Sequence, residues 1–231
     1  MITYEDFAVR AAQLRLGIDQ ACHKAGRKPD DVTLMAVTKS HPVDAAHFAY
    51  RFGLKSVGEN RVQETIDKRT LSSDPLFWEL IGHLQSNKAA LAVRHFDRIQ
   101  SVDSEKLVTL IDKAANELGK SFPILLQINA GRDPAKFGAE IEDAPKLLEC
   151  ALSKPHLKVD GLMTIAPLST DPDVAKHTFE TLRTVRDQLS GSFKIPLLTL
   201  SMGMSGDYES AIACGSTLIR VGSALFGERE V

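Results

Sequence analysis

Val32-Thr33-Leu34-Met35-Ala36-Val37-Thr38 is a run of seven residues without a charge, and it ends at Lys39-Ser40. Unbroken apolarity, with no alternation between two faces, predicts a short strand covered on both sides, as in a parallel sheet. On its N-terminal side, residues 5–25 place Phe7, Ala11, Leu14, Ile18 and Ala21 on one helical stripe, and Gly26 followed by Pro29 stops it. On its C-terminal side, Pro42 and Asp44 open a second helix that runs through Arg51 and closes at Gly53.

The alternation continues to the end of the chain. Further strands are expected at 55–58, 77–82, 98–102, 123–129, 159–165, 196–201 and 217–221, which with the first makes eight. Helical patterns lie between them, at 60–69, 86–93, 104–118, 141–153, 173–189 and 207–214, with Asp103 or Ser104 as the cap of 105–118. Strands alternating with helices imply parallel βαβ units. Eight units in 231 residues fit an α/β chain folded as one (β/α)8 TIM barrel with an extra N-terminal helix. A doubly wound open sheet satisfies the same periodicity. No Pro/Gly/Ser linker, low-complexity tract or charge block divides the chain, so 1–231 reads as one domain.

Composition narrows the function classes. Hydrophobic residues make up 43% and charged residues 25%, which excludes a largely disordered chain. Lys plus Arg total 28 against 30 Asp plus Glu, a net charge of -2, so no global basic field marks a nucleic-acid binder. Cys22, Cys150 and Cys214 are far apart and form no C-x-x-C pair, which removes zinc-ribbon and thioredoxin-like readings and fits a reducing compartment. Met1-Ile-Thr-Tyr-Glu-Asp-Phe7 lacks the regions of a secretory signal, and no apolar run approaches the ~18 residues of a membrane span. A cytoplasmic protein with no membrane partner is expected.

Ligands of parallel α/β folds collect at the C-terminal ends of the strands. Those ends carry Thr38-Lys-Ser40, Gly58-Glu-Asn60, Gly82-His-Leu-Gln-Ser-Asn-Lys88, Asn129-Ala-Gly131, Met163-Thr164, Ser201-Met-Gly-Met-Ser205 and Arg220-Val-Gly-Ser223. Lys39 is the sharpest single residue: at a barrel mouth, desolvation favours the neutral amine that a carbonyl-capturing nucleophile needs. The plain alternative is a strand-terminal lysine that reaches solvent. Arg220 is a charge amid strand residues and requires a partner, either an ion pair inside the barrel or a ligand nitrogen or anion. Ser201–Gly206 and Gly222–Gly227 follow strands seven and eight, where barrels of this kind bind phosphate through closely approaching backbone N–H groups. The second segment ends in Glu228-Arg229 instead of Lys-Ser/Thr and is no Walker A motif.

Other chemistries lack their residues. The seven histidines form no H-E-x-x-H, and no G-x-S-x-G elbow occurs. His83 and Gln85 sit in a site-facing loop where a structural role is equally open, and Met163, Met202 and Met204 fit core filling as well as a platform under a flat ring.

Together these strings resemble the family of pyridoxal phosphate homeostasis proteins. The matching pieces are Ala36-Val-Thr-Lys39, Val57-Gly-Glu-Asn60, Ile81-Gly-His-Leu-Gln-Ser-Asn-Lys88, Gly161-Leu-Met-Thr164, Leu200-Ser-Met-Gly-Met-Ser205 and Ile219-Arg-Val-Gly-Ser-Ala-Leu-Phe-Gly227, which in order and spacing cover nearly the whole chain. The family fold resembles the N-terminal barrel of alanine racemase, the type III fold of proteins that use pyridoxal 5'-phosphate (PLP). The resemblance implies PLP as cofactor. By it, Lys39 matches the lysine that forms the internal aldimine, a Schiff base, and Arg220 the arginine facing the pyridine nitrogen. Ser201, Gly222 and Ser223 match phosphate-binding positions, Gly203 and Met204 belong to the same loop, and Asn60 matches a polar residue near the ring. His41 stands where a threonine is common, and Asn129-Ala-Gly-Arg-Asp-Pro-Ala-Lys136 is a variant of the fifth loop.

An arginine at the ring nitrogen gives up no proton to it, which weakens the electron sink of the cofactor. Racemases of this fold add a second base from another domain, and only a few residues follow the eighth strand here. The resemblance therefore implies a non-catalytic, monomeric PLP carrier of intracellular PLP homeostasis, with PLP and apo PLP-dependent enzymes as partners. The alternative is a small PLP-dependent amino-acid racemase.

Overall fold

The computed structural model describes residues 2–227; Met1 and residues 228–231, the ends of the expected 1–231 unit, lie outside them. The described strands are β1 (Thr33–Val37), β2 (Ser56–Glu59), β3 (Phe77–Leu80), β4 (Arg98–Val102), β5 (Phe122–Gln127), β6 (Leu157–Met163), β7 (Thr199–Ser201) and β8 (Leu218–Val221). The helices are α1 (Tyr4–Lys24), α2 (Asp44–Arg51), α3 (Val62–Leu71), α4 (Ala89–His95), α5 (Glu105–Glu117), α6 (Ala144–Leu152), α7 (Pro172–Phe193), α8 (Tyr208–Ala213) and α9 (Ser223–Phe226). All neighbouring strands are parallel and follow chain order, and β8 pairs back onto β1, Thr33 beside Leu218 and Ala36 beside Val221. That closure makes a (β/α)8 barrel and excludes the open sheet.

The elements differ from expectation mainly at their ends. The helix expected at 86–93 is a 3-10 turn, Ser86–Lys88, leading into α4, and the one expected at 141–153 is a turn, Ile141–Asp143, leading into α6. β7 begins at Thr199 instead of 196: Pro196 has no N–H to pair, and the Leu197 backbone bonds to Ser190 and Arg186 on α7. α7 runs through Gly191 to Phe193 and stops at Lys194, which takes a left-handed φ of 54°. α9 is an element the periodicity did not indicate, too short at four residues to show a period.

α1 starts at a capping box between Thr3 and Asp6 and buries Phe7, Ala11, Leu14, Ile18 and Cys22. It packs on α8 and α9, where Phe7 stacks on Phe226 at 5.2 Å. The main apolar core, including Trp78, Leu80 and Phe96, lies between sheet and helices. Inside the barrel the apolar cluster is small: Met35, Val37, Ile81 and Leu218. Barrels of this class are filled chiefly by branched apolar side chains; here Glu79, Arg98, Gln100, Ser201 and Arg220 form a continuous polar chain between β3, β4, β7 and β8. Gly161 lets β6 lie close to β7, because a Cβ there would sit 1.9 Å from the Thr199 carbonyl oxygen. No helix among the described residues is long and apolar enough to cross a membrane.

Candidate functional site

A cavity of about 850 Å³ opens at the C-terminal ends of the strands. Of the sequence-derived candidates, Lys39, Asn60, Met204, Arg220, Gly222 and Ser223 line it. Ser201 and Gly203 lie off its wall.

Lys39 follows β1, and alternation along the strand sets it on the same face as Met35 and Val37, the barrel interior. Both neighbours of Lys39 are pinned from the opposite face. The Thr38 hydroxyl donates to Glu59 Oε1 at 2.6 Å, and Lys68 Nζ donates to the Thr38 carbonyl at 2.7 Å, to Glu59 Oε1 at 2.7 Å and to Glu64 Oε1 at 2.8 Å. The Ser40 backbone N–H donates to Glu64 Oε1 at 2.6 Å. Ser40 has a φ of 61°, a left-handed conformation that costs a residue other than glycine about 1–2 kcal/mol. Lys68 and Glu59 are buried. Burial pushes the Glu59 carboxyl up against the opposing pull of Lys68 and Thr38. At Glu64 burial acts the same way, but the hydrogen bonds from Lys68 and Ser40 win and hold its carboxyl below the ordinary range.

Arg220 is 4% exposed. Its Nη1 donates to Ser201 Oγ at 2.6 Å and its Nη2 to the Thr164 carbonyl at 2.8 Å; among the described residues, none of its hydrogen bonds goes to a carboxylate. Burial therefore lowers its pKa to about 10, with Asp207 and Glu79 opposing from a distance. The cation persists at neutral pH.

Ser201 is wholly buried, and its hydroxyl accepts from Arg220 and donates to Gln100 Oε1 at 2.5 Å. Its side chain supports the arginine from below and does not line the cavity. The serine of the β7 loop that lines the cavity is Ser205, whose Oγ accepts from the Ala224 backbone N–H at 3.2 Å and so ties that loop to α9. Gly203 makes the separation: its φ is 97°, and a Cβ there would lie 2.6 Å from the Ala211 side chain. Its carbonyl accepts from the Arg220 backbone N–H at 2.9 Å, and the next residue, Met204, reaches the wall. The sequence presents two serines in one loop. Choosing between them needs the turn at Gly203 and the partner on α9, which periodicity did not show.

The outer wall comes from residues that sequence reasoning left aside or underweighted. The Phe137 ring stacks on His83 with centroids 3.8 Å apart and planes 12° apart. Gln127 Nε2 donates to the Phe137 carbonyl at 2.8 Å. His83 Nδ1 is 3.7 Å from Asp103 Oδ2, and burial pushes the Asp103 carboxyl up. The variant fifth loop is ordered by the Asn129 amide, which donates to the Asp133 carbonyl and accepts from the Asp133 N–H, both at 3.1 Å. Ala139 then pairs back beside Ile128. No local pattern joins Phe137 to His83; only the barrel brings the third and fifth loops together.

The family model "Alanine racemase, N-terminal domain" matches residues 10–230. The chain is 39% identical over 214 residues to the pyridoxal phosphate homeostasis protein of Aquifex aeolicus, covering 92% of this chain and 94% of that one. It is 38% identical over 232 residues to the protein of the same name from Escherichia coli, 97% of each. Among solved structures, PipY of Synechococcus elongatus, with PLP bound, superposes with a TM-score of 0.84 at 40% identity, covering 96% of this chain and all of that one. An alanine racemase of Clostridium difficile shares the fold, with a TM-score of 0.76 at 14% identity over 95% of this chain and 57% of its own.

Proposed function

This chain belongs to the pyridoxal phosphate homeostasis protein family, and on that premise we propose that its barrel mouth takes pyridoxal 5'-phosphate, held covalently at Lys39, for intracellular PLP homeostasis and with little catalysis of its own. The observation that carries the reading is the convergence of Lys39, at the end of β1, and the buried Arg220 of the adjacent β8 on one cavity.

The residues present fit the group. Arg220 is a buried cation whose bonds leave it without a contacting anion among the described residues, suited to an acceptor nitrogen beside an anionic ligand. Ile81, Ile165 and Met204 supply apolar wall for a flat ring. Gly222 and Ser223 at the end of β8, with Ser205 and Gly206 opposite, would hold the phosphate. A Cβ at Gly222 would make only ordinary contact with Val37, 3.4 Å from its carbonyl oxygen, so a constraint on this position would have to come from the ligand side. Asn60 would sit beside the ring, and Met204 and Gly203 shape the loop. When bound, PLP supplies a carbonyl for an amine and an electron-withdrawing ring. Lys39 supplies the amine, on a turn whose ionic anchors stay behind the sheet. Arg220 keeps its proton at neutral pH and would offer the ring nitrogen a hydrogen bond, which would limit the ring's pull on electrons.

We take residues 1–231 as one PLP-binding unit that works as a monomer in the cytoplasm and exchanges PLP with apo PLP-dependent enzymes. Three free cysteines, two of them buried, agree with a reducing compartment. One observation favours the racemase reading: His83, backed by Asp103, stands on the cavity wall as a candidate base. Borohydride reduction and peptide mapping test the proposal. The cofactor is expected on Lys39, and Lys39→Ala is expected to lose the covalent adduct; an adduct on another lysine overturns the assignment. Alanine or serine racemisation near ~10 s⁻¹, abolished in Lys39→Ala, overturns the carrier reading in favour of the enzyme.

A further inference from the structure

The polar contents of the barrel connect into a single chain of hydrogen bonds, and its direction is set by chemistry. Arg98 grips Glu79 with two bonds, Nε to Oε2 at 2.6 Å and Nη2 to Oε1 at 2.9 Å, and reaches Asp160 Oδ2 at 3.3 Å. Burial pushes the Glu79 carboxyl up, against the pull of Arg98 and Gln100; the two-bond grip of a guanidinium, which has only donors, is what requires both Glu79 oxygens to accept. Gln100 Nε2 donates to Glu79 Oε2 at 2.7 Å and faces Met35 Sδ at 4.0 Å. With its amide nitrogen on a carboxylate, its oxygen has to face Ser201. The single Ser201 proton then goes to Gln100, and the lone pairs of Ser201 remain for Arg220. Each bond has one possible direction, from the cation at the mouth to the anion deep in the barrel. Gln100, Ser201 and Glu79 are all buried, so water offers no substitute partner.

We propose that Glu79 and Gln100 are positioning residues for the cofactor site: through Ser201 they fix the orientation of the Arg220 guanidinium that faces the ligand. Neither residue lines the cavity; their hydrogen-bonded route to it runs through Ser201 and Arg220. The inference rests on the reading of Arg220 as the group facing the pyridine nitrogen. It assigns Arg220 a distant anion as its anchor, where a direct carboxylate contact would compete with the ligand for the same hydrogens.

Gln100→Met keeps the length of the side chain and removes both amide functions, next to Met35. Glu79→Gln removes the charge and keeps the shape. Both variants are loaded with PLP, checked for folding by thermal melting, and compared in three readouts: position of the visible absorption band, PLP dissociation rate, and borohydride trapping on Lys39. In Gln100→Met the band is expected to shift and PLP to leave about tenfold faster, the consequence of loosening one hydrogen bond to a charged group. Glu79→Gln is expected to move both readouts the same way by less. A purely structural role would lower the melting temperature and leave the band where it is. Unchanged band and dissociation rate in a folded Gln100→Met overturn the inference, while trapping on Lys39 in the wild type keeps the functional reading standing. Should neither variant fold, the ligand-free wild type decides by NMR: Arg220 side-chain N–H groups exchanging with water as fast as those of the exposed Arg94 overturn it, and slow exchange supports it.

Discussion

Lys39 and Arg220 meet at one cavity from neighbouring strands, β1 and β8, yet they are held from opposite sides of the sheet. The Lys39 turn is anchored from behind, by Lys68 and Glu64 on α3 and Glu59 on β2, all reaching the backbone or side chains of Thr38 and Ser40. Arg220 is anchored from within, through Ser201, Gln100 and Glu79. The difference follows from the two-residue period of a strand. A residue beside Lys39 points outward, so strong charges can fix the turn without standing next to a ligand. Arg220 itself points inward, so whatever holds it has to share the barrel interior, and it is fixed by neutral intermediates with the carboxylate kept one amide away.

The largest expected effect tests the outer anchor. Lys68→Met leaves Glu59 buried with its charge uncompensated and removes the donor to the Thr38 carbonyl. One-sided removal of a buried pair costs about 3–5 kcal/mol, read as a fall in the denaturant midpoint. A cost under about 1 kcal/mol would place the Lys68 cluster among exposed pairs and break the comparison.

Next come the two serines, where ligand and protein effects separate. Ser201→Ala removes an acceptor from a buried guanidinium, about 1.5–3 kcal/mol of stability, and weakens PLP and unphosphorylated pyridoxal by the same factor. Ser205→Ala leaves stability nearly unchanged and weakens PLP alone, by about tenfold for one phosphate hydrogen bond. Isothermal titration of both ligands checks the pattern. The reverse pattern would return Ser201 to the phosphate.

The smallest effect is a pH dependence. Glu64 has a folded pKa below its ordinary 4.5, so its contribution is complete above that value and is lost as pH falls through the lower folded value. Glu59 is shifted the other way, and the cost of its burial eases as pH falls through its raised folded value toward the ordinary one. Glu64→Gln is therefore expected to lose stability at neutral pH, within the ~1 kcal/mol of partly exposed pairs, and to converge on the wild type in acid. Parallel stability–pH curves for the two proteins would remove Glu64 from the anchor.

Much of the site is legible along the chain because its residues terminate regular elements. Lys39 closes an uncharged run, Arg220 interrupts one, and Gly222-Ser223 follows the last strand. Three-dimensional neighbours with no shared element are not legible. Phe137 meets His83 across two loops, and Lys68 is one of many lysines on helical patterns until its ammonium is found buried on Glu59.

From the sequence by itself came the alternation of eight strands with helices, the strand ends as the candidate site, Lys39 and Arg220 as its candidate residues, and the family likeness. These are short-range properties, set by side-chain period and turn chemistry within a few residues. The tertiary structure alone decided that β1 closes on β8, that Ser201 lies under Arg220 while Ser205 stands on the wall, and that Gln100 joins them. The Ser201–Gln100 bond spans 101 residues and exists only because a closed barrel forces β4 and β7 to point into the same interior, where a buried polar group has to find its partner across the fold.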